Sequence, residues 1–274
     1  MTVATRLAGF AVVLALVFAG AVFAGSRLDV HPGKPEPKSA MGEMVAQAVR
    51  GLAVSDNGLT LELARRTAPQ GKPFALAFRI VDGNGQTVRD FDVEHTKRMH
   101  FIVVRRDMTG FQHLHPTENP DGTWSLPVTL PEAGSYRVFA DFSVGDKPYT
   151  LADDITVDGS VRARALPAPA RSVDVDGLRV SLSEGTTTAG AEAALAFTVT
   201  RQGRPVAVQD YLGAKGHLVA LRQGDLAFLH VHPDENRLKF MATFPSVGRY
   251  RLFLQFKTTD GRLHTAAFTQ EVTR

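Results

Sequence analysis

The chain has 274 residues, 44% of them hydrophobic, a formal charge of +3 and no cysteine. Disulfides, thiolate redox chemistry, iron–sulfur clusters and cysteine-held zinc are thereby excluded. Basic and acidic residues are mixed, no basic run is interleaved with aromatics and no Gly-rich loop closes in Gly-Lys-Ser/Thr, so nucleic acid is not an expected partner.

Residues 7–24, LAGFAVVLALVFAGAVFA, run for eighteen residues without a charge behind Arg6. That is longer than the usual core of a signal peptide and just long enough for a helix to span a bilayer. Residues 1–25 are therefore expected to be a signal anchor or signal peptide. Arg6 and the amino terminus favour insertion with the C-terminal domains outside the cytoplasm. The expected location is the cell membrane, crossed once. The alternative is secretion after cleavage near Ala24, where Val22 and Ala24 form a small-residue site before Gly25. Residues 26–48, rich in Pro, Lys and small side chains, read as a flexible tether.

Beyond the tether the chain repeats itself. VSDNGLTLEL (54–63) resembles VDVDGLRVSL (173–182), KPFALAFRI (72–80) resembles AALAFTVT (193–200), and LPEAGSYRVFADF (130–142) resembles FPSVGRYRLFLQF (244–256). Copies this long are duplicated domains and not a solenoid of short units. The division expected is a first repeat over 49–160, a Pro/Ala linker over 161–171 and a second repeat over 172–274. Within each copy, alternating apolar and polar residues are broken by turn residues at short intervals, and helical periodicity is absent. The predicted fold is all-β, with tandem immunoglobulin-like antiparallel β-sandwiches after an N-terminal hydrophobic helix. Tyr136 and Tyr250, each two residues after a glycine, suit a tyrosine corner or simple packing.

Aligning the copies sets His100 on His217, His113 on His230 and His115 on His232. Both then read His-x12-His-x-His-Pro-x-Glu, ending at Glu118 and Glu235, and six of the nine histidines fall in this frame. In the second copy, Gly224-Asp225 serves as a two-residue hairpin loop. Counting out from it places His217 opposite His232, with His230 two residues along on the same face. Three imidazoles would then reach one ion through bonds of about 2.0–2.1 Å. In the first copy Asp107-Met108 stands in place of the turn, and a longer loop is expected to set His100 diagonal to His115. The alternative is a set of half-buried histidines bonded to one another and to backbone. Against it, clustered imidazoles repel when protonated and are hard to satisfy when neutral. Neutral imidazole suits copper, zinc and nickel. His95 is read as a surface residue or an extra ligand.

From about residue 90, EHTKRMHFIVVRRDMTGFQHLHP and YLGAKGHLVALRQGDLAFLHVHP resemble bacterial membrane-anchored, immunoglobulin-like envelope proteins described as uncharacterised or heavy-metal-associated. More distantly, each repeat is similar to the CopC-like and YtkA-like β-sandwiches. The resemblance implies handling of copper or a related metal outside the cytoplasm, alongside other envelope metal-handling proteins. One departure is that CopC-like proteins use a histidine at the mature amino terminus, where cleavage here would expose Gly25. GDLAFLHVHPDE also fits the opening of a cupin motif from Gly224 to His232, but Glu235 comes too early and Gly248 lies too far.

The function expected is an extracytoplasmic metal-binding protein, taking copper or zinc ion in storage, delivery or resistance, and not an enzyme. The alternative is a structural or protein-interaction module with no metal, and the third reading is a cupin-like metal-dependent enzyme. No Gly-x-Ser-x-Gly nucleophile elbow occurs.

Overall fold

The computed structural model describes residues 14–19, 49–183, 187–229, 231–234 and 236–274, with the backbone alone for His232. The chain divides into two compact units, Met1–Val45 and Ala46–Arg274. In the first unit the described residues, 14–19, are helical, and Leu14, Leu16, Val17 and Phe18 are exposed. Among the described residues no helix is long and apolar enough to cross a membrane. The rest of the apolar run, Arg6, the cleavage position near Ala24 and the whole 26–48 tether lie outside the described residues.

The second unit is built from strands that form two pairs of sheets. In the first repeat one sheet runs Ser55–Asp56, Leu59–Leu63, Pro73–Val81, Trp124–Thr129 and Thr117–Glu118, each beside the next. The facing sheet runs Thr67–Ala68, Lys147–Val157, Gly134–Val144, His100–Arg105 and Gln112–Leu114. The second repeat reproduces this plan. Ser172–Val175, Leu178–Leu182, Glu192–Arg201, Lys239–Thr243 and His232–Pro233 form one sheet. Leu263–Val272, Gly248–Thr258, Gly216–Arg222 and Phe228–Leu229 make up most of the other. The pairing is antiparallel, as expected, except that Thr67–Ala68 runs parallel to Thr156–Val157.

Alternation along each strand builds the two cores. Leu76, Phe78 and Ile80 of one strand and Trp124, Leu126 and Val128 of its neighbour point inward and are buried, with less buried residues between them. The second repeat does the same with Leu178, Val180 and Leu182 against Leu195, Phe197 and Val199. Both tyrosines form corners. The Tyr136 hydroxyl donates to the Glu132 carbonyl at 2.9 Å, and that of Tyr250 donates to the Ser246 carbonyl at 3.1 Å. Each ring is buried, so its hydroxyl needs such a partner.

Strand His100–Arg105 is buried on both faces, and so is most of Gly216–Arg222. Phe101 and Val103 enter the first core, and Leu218 and Ala220 enter the second. The intervening residues, Ile102, Val104, Val219 and Leu221, join a third cluster with Phe139, Phe228 and Phe253. That cluster is the face on which the two sandwiches meet. Phe111 stacks on Phe253 with centroids 4.1 Å apart, and Phe139 packs against Phe228 at 5.5 Å. Phe111 aligns with Phe228 and Phe139 with Phe253, so the two contacts are one contact with the repeats exchanged. The histidine-bearing strands are the ones brought face to face.

Candidate metal centre

His100 starts its strand on the side of Ile102 and Val104, turned towards the other sandwich. Ile102 pairs with His113 and Phe101 with Leu114 across the hairpin, and continuing that register sets His115 opposite His100. The expected diagonal offset does not occur. A six-residue connection closes through Arg105 N–H to the Thr109 carbonyl and leaves the register intact. Pro116, with no N–H to donate, follows His115 where the chain crosses to the opposite sheet.

The second copy differs in the reverse sense. Leu221 pairs with Phe228 and Ala220 with Leu229, in the register that was expected. The turn is not the two-residue loop, because Arg222 N–H bonds the Ala227 carbonyl and Leu226 N–H bonds the Arg222 carbonyl. Gly224 at φ 102° and Leu226 at φ 60° carry the left-handed backbone this longer loop needs. The His232 backbone pairs with Met241 in the opposite sheet rather than with His217. The expected hairpin pairing of His217 with His232 is therefore corrected. His230 and Glu235 lie outside the described residues.

The site that forms gathers histidines of the first repeat against one from the second. The His100 Nδ1 and His113 Nε2 atoms are 3.0 Å apart. One ligand nitrogen from each of His100, His113 and His115 lies within 4.8 Å of the other two. Ring centroids are 5.3 Å apart for His100–His113, 5.0 Å for His100–His115 and 4.9 Å for His113–His115. His217 stands 6.3 Å from His100 and 6.0 Å from His113. His95, on an exposed loop with φ 47°, lies 5.2 Å from His217. His95, His100, His113 and His217 border a cavity of about 50 Å³ shared with Glu94, Asp141 and Phe228. That is room for an ion with bound water.

The hydrogen bonds assign the ring protons, given the Gln255 amide oxygen turned towards His113. His100 Nε2 lies 3.2 Å from the Glu94 carbonyl, which only accepts, so this nitrogen is the N–H. His113 Nδ1 lies 2.9 Å from Gln255 Oε1, also an acceptor, so the proton sits on Nδ1. Neutral imidazole has one N–H, which leaves the His100 Nδ1 and His113 Nε2 lone pairs facing each other at 3.0 Å. His115 Nε2 is buried without a hydrogen-bond partner. Protonation is a poor remedy. Burial, then the neighbouring His100, push His113 well below the ordinary imidazole value. Burial and His100 likewise push His115 down to about 4. Burial lowers His217 to about 4 as well, against the opposing pull of the Tyr211 carbonyl that its Nε2 meets at 2.9 Å. Lone pairs that face one another in a site that resists protons suit a cation.

Gln255 was missed in the sequence, although a signal was there. It aligns with Asp141, and each is the polar residue in an otherwise apolar stretch, LFLQF and VFADF. Asp141 stands beside His100 on the neighbouring strand and accepts from Thr150 at 2.6 Å. Gln255 occupies the same place beside His217. His264 lies apart from the site, buried, between Asp176 at 2.7 Å and Thr258 at 2.9 Å. Glu118 is also apart, paired with Arg98 at 3.0 Å.

A family model described as a domain of unknown function, DUF8832, matches residues 53–159 and again 173–274. The chain belongs to the DUF8832 family. It carries two DUF8832 domains, one over each sandwich. No curated protein matches. Among solved structures, Salmonella alpha-2-macroglobulin reacted with methylamine is 15% identical over 82% of this chain, with a TM-score of 0.29. The Escherichia coli adhesin FdeC is 17% identical over 81% of this chain and 66% of its own, with a TM-score of 0.29. The chain spans about 15% of the length of that macroglobulin. At such scores these likenesses say nothing about what DUF8832 domains bind.

Proposed function

We propose that this protein is an extracytoplasmic metal-binding protein that holds copper or zinc through His100, His113 and His115, in storage, delivery or resistance without turnover. The observation that carries the reading is the pair of imidazole lone pairs facing each other at 3.0 Å beside the unpartnered Nε2 of His115. An ion between them would satisfy all three nitrogens at once. The ring spacings support it. Imidazoles on one tetrahedral ion, with bonds of about 2.0–2.1 Å, stand about 5 Å apart centre to centre. The three pairs measure 4.9–5.3 Å. The Glu94 carbonyl and Gln255 amide would act as outer partners that fix each ligand's tautomer. Zinc and copper both accept neutral imidazole. The envelope location follows from the uncharged 7–24 run and the resemblance to heavy-metal-associated envelope proteins.

Calorimetric titration of copper and zinc into the chelator-treated chain tests the reading. The wild type is expected to bind, and the His100, His113, His115 triple alanine variant is expected to lose nearly all affinity. Equal binding by both would leave the histidines as a packing feature of the interaction-module alternative.

A further inference from the structure

We propose that His217, carried by the second sandwich, supplies a fourth ligand to the ion held by His100, His113 and His115, so that one ion ties the two DUF8832 domains together. This inference rests on the three-histidine reading and extends it from one domain to the pair.

The geometry starts with His217 itself. Its Nε2 lies 2.9 Å from the Tyr211 carbonyl and is therefore the N–H, which leaves Nδ1 as the nitrogen with a lone pair. The side chain is buried, on the wall of the cavity that His100 and His113 also line. Its ring stands 6.0 Å from His113 and 6.3 Å from His100, about 1 Å beyond the spacing of ligands on one tetrahedral ion. Bridging requires the His217 ring to move by about that distance when an ion is present. No backbone step is required, because the strands carrying His100 and His217 already meet across the apolar face of Ile102, Val104, Val219 and Leu221.

A second contact crosses the same boundary. Gln255 of the second sandwich orients His113 of the first, so the three-histidine set already depends on both domains. The duplication then has a chemical consequence. On this proposal the second copy lends a ligand to the site of the first. The expected stoichiometry is one ion per chain.

Zinc is titrated into the chelator-treated full-length protein, wild type, His217→Ala, His217→Gln and His115→Ala, with amide hydrogen exchange measured with and without zinc. His217→Gln keeps a donor for the Tyr211 carbonyl and guards against a folding defect. The wild type is expected to take one zinc and to gain exchange protection at Val219 and Leu221. Both His217 variants are expected to take one zinc at least tenfold more weakly, and to lose that protection. Unchanged affinity and protection in the His217 variants would overturn the bridge while leaving the three-histidine reading in place. Two zincs per wild-type chain, one of them lost with His217, would replace the bridge with a separate second-repeat site. No zinc taken up by the wild type, or undiminished uptake by His115→Ala, would overturn the reading and the bridge together.

Discussion

At the scale of single residues, the site depends on which nitrogen of each imidazole holds its proton. Gln255 decides this for His113 from the other domain. Gln255→Leu removes the acceptor and frees His113 to take the wrong tautomer, so metal affinity should fall by about 10–100-fold, the usual loss for an outer partner. Gln255→Glu keeps an acceptor at that place and should retain the affinity. Urea unfolding of both variants separates this effect from a loss of fold. Titration gives an independent handle. His115 and His217 are held neutral in the fold, each near a value of about 4, while the unfolded chain protonates them near 6.5. The unfolded state then binds more protons as pH falls. Their contribution to stability is complete above about 6.5 and is lost as pH drops through about 4. For His217 alone the change is roughly 3 kcal/mol. Denaturant midpoints of the metal-free protein between pH 7 and pH 4 should show this fall, and His217→Ala should flatten it. By the same logic, metal binding should persist below pH 6.5, where an exposed imidazole would already be losing its ligand form.

At the scale of elements, the strands were legible wherever burial is one-sided, because alternation marks the face. LTLEL and KPFALAFRI show this, and the duplicated plan follows from aligning them. The tyrosine corners were half legible, since a glycine two residues before a tyrosine cannot show where its hydroxyl points. Removing either hydroxyl leaves the half-buried Glu132 or Ser246 carbonyl short of a donor, and Tyr136→Phe or Tyr250→Phe should each cost about 0.5–1.5 kcal/mol by chemical denaturation. The histidine hairpins were legible in register but not in extent. Counting from a turn correctly paired Leu221 with Phe228. It could not show that His232 would pair with Met241 in the opposite sheet. A crossing of that kind is decided by which sheet has an open edge, and a single strand's pattern carries no record of it. Gln255 could be singled out as the polar residue of LFLQF, but its bond to His113 was out of reach, since that partner lies 142 positions away and in the other copy.

At the scale of the whole molecule, the two sandwiches have cores of their own and share a third cluster between them. Alternation from His100 and His217 puts Ile102, Val104, Val219 and Leu221 on the histidine faces, but a strand's own pattern cannot show that these faces cover each other. Fully burying a Val, Leu, Ile or Phe contributes about 1.5–3 kcal/mol, and the pair of reciprocal phenylalanine contacts lies wholly on this face. A fragment of residues 172–274 keeps its own core and should unfold in a single cooperative transition. It should also leave Val219, Leu221, Phe228 and Phe253 uncovered, an apolar patch of the kind that drives association. Because Phe111 on Phe253 and Phe228 on Phe139 are one contact with the repeats exchanged, the fragment has a ready substitute in a second copy of itself. Sedimentation should therefore find it dimeric at concentrations where the full chain stays monomeric, and Phe253→Ser should return it to monomer. A fragment that stays monomeric with its patch bare, or one that never folds, would show that the two domains complete each other in a way their separate cores do not reveal.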